Sequence, residues 1–142
     1  MIKTNETALD PRLKADCLFI GRLDAVRLLL MNNALLPWFI LVPNTTITDI
    51  VELPPVEREC LFELTSEIGR LLRREMACER TNVAAIGNVV SQLHVHIVGR
   101  RSDDFCWPGV VWGQHEHEEY SQTQVEAIRT RFRAHFGPRL VP

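Results

Sequence analysis

Apolar and polar positions follow one another in short blocks over the first 43 residues, a pattern that predicts strands. Residues 17–20, 25–31 and 38–42 are apolar runs of strand length, joined by brief polar turns. Asn32 and Asn33 form the turn before the third run, which prolines bound on both sides. Just upstream, Asp10 and Pro11 have the residue types of a helix N-cap and a first helical position. We therefore expect an antiparallel meander preceded by a helix of one or two turns.

Farther along the chain the apolar spacing changes from that of strands to that of helices. Residues 55–76 carry one apolar stripe with a period of about 3.6 residues. Its members are Val56, Cys60, Leu61, Leu64, Ile68, Leu71 and Leu72. Two further strand-like runs, 82–86 and 92–98, lie on either side of a glycine turn. Ser121 and Gln124 then form a capping-box pattern that predicts a C-terminal helix, ended by Gly137 and Pro138. The fold class is α+β, with an antiparallel sheet of about five strands, a long central helix and a C-terminal helix.

Composition narrows the function classes. The 142 residues are 46% hydrophobic and 24% charged, which is typical of one globular domain spanning residues 1–142. A formal net charge of −2 gives no electrostatic reason to bind nucleic acid. No apolar run approaches the roughly 18 residues of a membrane span, and the polar residues 1–10 do not resemble a signal peptide. The four cysteines form no C-x-x-C pair, so we expect free thiols and a cytoplasmic protein.

The candidate chemistry concentrates in the run Gln-Leu-His-Val-His-Ile-Val at residues 92–98. Side chains alternate between the two faces of a strand, so Gln92, His94 and His96 are expected to share one open face. The apolar residues between them are expected to pack under the long helix. A neutral imidazole is a competent nucleophile and proton carrier at physiological pH. A two-histidine metal site and two solvent-facing histidines are the alternative interpretations of this pair.

The sequence around this pair resembles the histidine triad (HIT) superfamily of nucleotide hydrolases and transferases. The family motif is His-φ-His-φ-His-φ-φ, where φ is apolar, and here its second and third histidines match His94 and His96. Gln92 stands in place of the first histidine. The strand at 37–43, the strand and glycine turn at 82–88, and the order of elements from about residue 10 to residue 100 are also similar to the family. The Trp-Pro-Gly segment at 107–109 is similar to one that follows the triad in some branches.

The resemblance implies a mechanism. The middle histidine of the family attacks the α-phosphorus of a nucleotide, so His94 is the expected nucleophile and a nucleotidyl-imidazole the expected intermediate. His96 is expected to contact the phosphate and assist the departing atom. Gln92 is expected to support the hydrogen-bond network; since an amide donates and accepts but does not titrate, Gln92→His is expected to be folded and at least as active.

The resemblance also suggests nucleotide-binding positions. Asn32, or its neighbour Asn33, falls where family members contact the ribose, although a turn asparagine is an equal alternative. Asn82 and Asn88 are similar to residues that line the phosphate pocket, and Phe19 is a candidate for the base pocket. Val89 stands where several members carry Ser or Thr.

The family scheme needs no cofactor and no metal. A second histidine pair, His115 and His117, lies in an acidic stretch without a third fixed ligand, so no metal site is expected there.

Two function classes compete. The first is a hydrolase or transferase acting on a purine nucleoside phosphate derivative, either a phosphoramidate or a dinucleoside polyphosphate. The second is a nucleotide-binding protein with little turnover, owing to Gln92 and Val89. The base, the departing group and the physiological substrate are not specified by the sequence.

The resemblance further implies a homodimer. Family members pair two sheets and their long helices across a two-fold axis, which removes an exposed sheet edge. The helix at 55–76 carries apolar residues beyond those needed for its own core, with Cys60, Leu61 and Met76 widening the stripe. A monomer whose C-terminal helix covers this surface is the alternative.

Overall fold

The three apolar runs near the N-terminus form neighbouring antiparallel strands in the computed structural model, which describes residues 5–142. They are β1 (Cys17–Leu23), β2 (Val26–Met31) and β3 (Trp38–Pro43). A short helix, α1 (Pro11–Asp16), precedes them, and the Asp10 side chain accepts a hydrogen bond from the Arg12 amide as its N-cap. The predicted meander and its leading helix are therefore confirmed. The start of the polar N-terminal stretch, residues 1–4, lies outside the described residues.

The sheet has six strands in the order β4-β5-β3-β2-β1-β6, where the sequence predicted about five. The additional members of the sheet are β4 (Arg80–Ala84), β5 (Val95–Arg100) and the two-residue β6 (Leu140–Val141). All pairings are antiparallel. The strand predicted at 92–98 begins later, at Val95, because Leu41 and Ala84 are the last partners that β3 and β4 offer it. The run 92–94 is therefore extended chain that leads into the strand.

Two helices cover one face of the sheet and form the larger core. The long helix α2 (Pro55–Glu75) buries Leu61, Leu64, Ile68, Leu71 and Leu72, as its stripe predicted. Val56 and Cys60, the first two members of the predicted stripe, are exposed instead. The C-terminal helix α3 (Gln122–Phe136) begins with both hydrogen bonds of the predicted capping box. Its Phe132 ring stacks on Phe39 of β3 at 4.7 Å. No helix among residues 5–142 combines the length and the apolar character that crossing a bilayer requires.

The opposite face of the sheet is also buried, which the sequence did not predict. A second apolar cluster fills it with residues from α1, β2, β3, β5 and the long segment between β5 and α3: Leu13, Leu29, Leu36, Trp38, Ile40, Val42, Val98 and Val111. Residues 101–121 therefore fold back over this face. We call this segment the covering loop. His96 points to the same face, so the expected open polar surface is replaced by a covered one.

The covering loop is fastened at its start by a buried ion pair. Arg100 and Asp104 have side chains only 2% and 3% exposed, with Arg100 Nε 2.7 Å from Asp104 Oδ2. The guanidinium donates further bonds to the other oxygen of Asp104 and to Asn82 Oδ1. Trp107 lies against the Arg100 guanidinium at 5.5 Å. Arg100 is therefore a structural anchor of the loop, neither a solvated residue nor a free phosphate ligand.

Candidate functional site

Two histidines meet where the chain enters β5. His94 immediately precedes the strand, and His96 is its second residue. Their ring centroids are 4.9 Å apart in an edge-on arrangement, and each residue is 6% exposed. The predicted pair is therefore brought together, but in a buried setting. Leu93, Val95 and Ile97 point into the helix-covered core, as the alternation predicted.

The hydrogen bond of His94 fixes which ring nitrogen is free. His94 Nδ1 lies 2.7 Å from the carbonyl oxygen of Gln92. Because a carbonyl oxygen only accepts, Nδ1 carries the proton and donates it. The lone pair of the neutral ring then resides on Nε2, the atom that can act as a nucleophile.

His96 has the opposite assignment. The indole N–H of Trp38 donates to His96 Nδ1 at 3.0 Å, in the interior of the protein. Nδ1 is therefore an acceptor, and the proton of the neutral ring sits on Nε2. Burial, and secondarily the charge on His94, lower the pKa of His96 to about 4. At neutral pH His96 is thus an uncharged hydrogen-bond donor through Nε2–H.

An aromatic wall surrounds His96. The Trp112 ring from the covering loop meets His96 edge-on at 5.6 Å, and Trp38 and Trp112 meet each other at 6.3 Å. The sequence analysis assigned neither tryptophan to the site. Strand alternation places Trp38 on the same face as Ile40, and Ile40 is the cross-strand partner of His96. The contact between Trp38 and His96 was therefore predictable from the sequence pattern. Trp112 lies in an irregular segment, so no repeat of apolar positions in the sequence predicts where it lies.

A polar cavity of about 310 Å³ opens beside His94. Asn88 and Ser91 line it together with Thr48 and Asp49, which lie in the segment between β3 and α2. Gly87, at φ +66°, provides the left-handed turn that brings Asn88 round to the cavity. The structure thus brings Asn88 to His94, as expected. Ser91, Thr48 and Asp49 were not predicted from the sequence, although Ser91 is only three residues from His94.

The sequence predicted that Gln92 shares one face with the two histidines, and this placement stays a prediction. Residue 92 precedes the ladder of β5, so strand alternation does not orient it. Its side-chain amide donates to the carbonyl of Ala8 at 3.0 Å and accepts from the amide of Asp10 at 2.7 Å. Gln92 contacts His94 through its main-chain carbonyl.

The other candidates lie away from this cavity. Asn82 Oδ1 accepts from Arg100, and Asn32 Oδ1 accepts from the amide of Tyr120 at 3.0 Å. Phe19 lies on β1, three strands across the sheet from β5, with the Arg22 guanidinium over its ring at 4.9 Å. Their roles toward a nucleotide stay predictions.

The second histidine pair lies apart from the first. His115 and His117 are exposed in the covering loop. Among residues 5–142, no three His, Cys, Asp or Glu side chains are grouped so as to hold a metal ion. The expectation that the protein uses neither metal nor cofactor stays a prediction.

A paired-histidine strand in an antiparallel sheet, with a long helix on one face, defines the histidine triad class. The HIT domain model matches residues 12–103, and the chain belongs to this family. Proteins of the family are generally nucleotide-binding hydrolases or transferases.

Solved structures agree with the family. A histidine triad protein from Sinorhizobium meliloti 1021 is 36% identical, with a TM-score of 0.88 over 93% of this chain and 98% of its own. One from Bradyrhizobium japonicum is also 36% identical, with a TM-score of 0.86 over 90% and 96%. A third, from Marinobacter aquaeolei VT8, is 34% identical, with a TM-score of 0.86 over 96% and 97%. No curated protein matches the sequence.

Proposed function

We propose that the protein is a hydrolase or nucleotidyl transferase that acts at the α-phosphate of a purine nucleoside phosphate derivative, through a covalent nucleotidyl-His94 intermediate. The observation that carries the proposal is the opposite proton assignment of the two histidines. His94 offers a lone pair at Nε2, while neutral His96 offers an N–H at its own Nε2. One ring can attack phosphorus while the other donates a hydrogen bond to the charge that develops on the phosphate oxygens.

The proposed reaction has two steps. In the first, the Nε2 lone pair of His94 forms a bond to the α-phosphorus. The bond to the departing group breaks with its electron pair, and the departing group takes a proton from water. In the second, a water oxygen attacks the same phosphorus, and the phosphorus–nitrogen bond returns its electron pair to His94. During the intermediate, the positive ring keeps its Nδ1–H bond to the carbonyl of Gln92, which favours the charged form.

The cavity beside His94 supports this placement of the phosphate. It contains the Asn88 side chain and the turn at Gly87, and it opens directly onto the nucleophile. Amide groups of a glycine turn are common ligands of phosphate oxygens. We expect the α-phosphate to bind here and the nucleoside to extend toward the positions predicted from the family.

A nucleotide-binding protein with little turnover is the second candidate. Val89 supports it, because an exposed valine stands where several family members have a hydroxyl directed at the phosphate. Loss of one oriented donor in a transition state costs about 10²-fold or more in rate. Such a protein would bind a nucleotide without releasing product.

One assay separates the two candidates. The protein is incubated with adenosine 5′-phosphoramidate or a diadenosine polyphosphate in EDTA, and AMP release is followed by chromatography. The reaction is also quenched in the steady state and the protein analysed by mass spectrometry for a nucleotidyl adduct. We expect AMP and an adduct on His94. Nucleotide binding without AMP or adduct would support the second candidate instead.

We also propose a cytoplasmic protein whose residues 1–142 form one domain. The four cysteines, all within the described residues, are free. Burial raises the pKa of Cys17 to about 12, and burial also raises the pKa of Cys78. Thiols held in the protonated form are unreactive, as expected of structural cysteines in a reducing compartment.

The homodimer predicted from the family has a candidate surface. Four large apolar side chains near the β4 edge are more than half exposed: Val51, Val56, Phe62 and Val83. Phe62 and Val83 also line an apolar groove of about 240 Å³ between α2 and β4. Among residues 5–142, β4 pairs only with β5, so its other edge offers free backbone groups. We propose that a second copy covers this surface.

We expect light scattering at micromolar concentration to give about 33 kDa, twice the 16.3 kDa of the chain. Phe62→Glu is expected to give a folded monomer, since it places a charge in the centre of the apolar surface. Val110→Glu is the matched control, because Val110 is 55% exposed in the covering loop. A stable 16 kDa species for the unmodified chain would contradict the dimer.

A further inference from the structure

The side chain of Gln92 connects the nucleophile to the N-terminal part of the chain. Residues 7–10, which we call the N-terminal strap, lie directly before α1 in the chain. The Gln92 amide bonds the strap at Ala8 and again at Asp10. The main-chain carbonyl of the same residue accepts from His94. One residue therefore holds both the strap and the nucleophile.

We propose that Gln92 is a positioning residue that fastens the N-terminal strap as one wall of the site, completing a hydroxyl-lined subsite for the departing group of the substrate. The proposal rests on the proposed function, because a departing group exists only if His94 attacks a phosphorus. It adds a subsite, its chemical class and a role for the glutamine that the family resemblance does not supply.

The geometry of the two bonds explains why an amide is suited to this position. A primary amide presents one N–H and its C=O side by side, as the N–H and C=O of one residue are presented at the edge of a β-strand. It can therefore bond residues i and i+2 of an extended segment, here Ala8 and Asp10. The two ring nitrogens of an imidazole point away from each other, so a histidine can hold only one of these partners. This replaces the sequence-based expectation that Gln92→His is at least as active as the unmodified protein.

The strap is fixed elsewhere by independent contacts, which leave Gln92 as its link to the site. Thr7 donates to Asn44 Oδ1 through both its amide, at 2.9 Å, and its hydroxyl, at 3.1 Å. The guanidinium of Arg27 donates to the carbonyl of Thr7. At its other end, the strap leads into α1, whose Leu13 is buried in the cluster that contains Trp38. The strap is therefore coupled to the aromatic wall of His96 as well as to His94.

A second cavity, of about 320 Å³, lies between the strap and the residues that follow β3. It shares Thr48 and Ser91 with the cavity of His94, so the two cavities adjoin, and we call them together the groove. Hydroxyl groups dominate its lining, with Thr7, Thr45 and Thr46 added to the shared pair.

The charges that line the two cavities favour one of the two departing groups that the sequence left open, an amine or a polyphosphate. Among the described residues that line the two cavities, the ionisable carboxyl groups are those of Asp10 and Asp49, and none is Lys or Arg. A polyphosphate departing group would carry several negative charges into this groove without a cationic partner. A hydroxyl-bearing amine would instead find acceptors and donors along it. The subsite therefore fits a phosphoramidate with a hydroxylated amine.

Gln92→Glu tests the role of the amide with almost no change of shape. The introduced carboxylate still accepts a hydrogen bond from the amide of Asp10. It cannot donate one to the carbonyl of Ala8, because a carboxylate oxygen then faces the carbonyl oxygen. Gln122→Glu is the matched control, since Gln122 is exposed at the start of α3 and lines neither cavity. Hydrogen exchange measured by mass spectrometry is expected to rise over residues 7–13 in Gln92→Glu only. Unchanged exchange there would overturn the anchoring role, independently of any activity.

Two substrates test the subsite. One is adenosine 5′-phosphoramidate, whose departing ammonia is too small to reach the strap, and the other is the phosphoramidate of AMP with ethanolamine. Gln92→Glu is expected to lower kcat/KM about tenfold for the ethanolamide and less than about threefold for the small substrate. Equal losses on both substrates would overturn the subsite while leaving His94 catalysis standing. Absence of turnover by the unmodified protein on both would instead contradict the proposed function, with the exchange result still decisive for the strap.

Discussion

His94→Ala is expected to lower kcat by about a thousandfold or more, because it removes the nitrogen that we propose as the nucleophile. The neighbouring groups cannot replace it. His96 carries its proton on Nε2 and uses Nδ1 to accept from Trp38, so it has no lone pair directed toward a substrate. The variant keeps Gly87 and Asn88, which line the cavity beside residue 94. Nucleotide affinity is therefore expected to change by less than about tenfold.

The measurement pairs single-turnover AMP release with calorimetric titration of AMP. His115→Ala is the control, since His115 is an exposed imidazole in the covering loop and contacts neither His94 nor His96 in the described structure. The control is expected to match the unmodified protein in rate and affinity. Retention of full activity by His94→Ala would disprove the covalent mechanism, and loss of both activity and AMP binding would indicate that His94 supports the fold of the pocket.

The parts of the fold that follow a regular period were predictable from the sequence. The stripe of α2 identified its buried residues, and the capping box of α3 placed that helix within a residue. The alternation Leu93, Val95 and Ile97 also identified the core-facing side of the active-site strand. Each prediction succeeded because the buried face of a regular element repeats along the sequence.

The environment of the two histidines was not predictable in the same way. His96 is covered by Trp112, which lies in an irregular segment, so no period indicates that contact. Gln92 bonds Ala8 and Asp10 across more than 80 residues, and such a pairing depends on the completed fold. The sequence therefore identified the histidine pair, whereas the tautomers and the walls of the candidate site required the structure.

The buried ion pair of Arg100 and Asp104 fastens the covering loop, so breaking this pair is expected to have a large effect on stability. Asp104 accepts from the Arg100 guanidinium through both of its oxygens, at 2.7 and 3.0 Å, and from the main-chain amides of Arg101 and Cys106. Burial alone would raise the pKa of Asp104, but its hydrogen bond with Arg100 and those main-chain bonds outweigh burial and lower it. The carboxylate is therefore charged at neutral pH, and the buried guanidinium depends on it.

Asp104→Ala is expected to lower the free energy of unfolding by about 3 kcal/mol or more, because it leaves the Arg100 charge buried with only Asn82 as a side-chain oxygen acceptor among the described contacts. The adjacent Asp103 gives a matched control. It pairs with Arg101 at 2.8 Å, but the two side chains are 69% and 49% exposed, so Asp103→Ala is expected to cost less than about 1 kcal/mol. Urea unfolding of the two variants at neutral pH measures both values. Equal stability of the two variants would show that the buried pair does not hold the covering loop. A large loss confined to Asp104→Ala would show that the buried pair holds the covering loop. The pair would then also hold the Trp112 ring, which this loop places against His96.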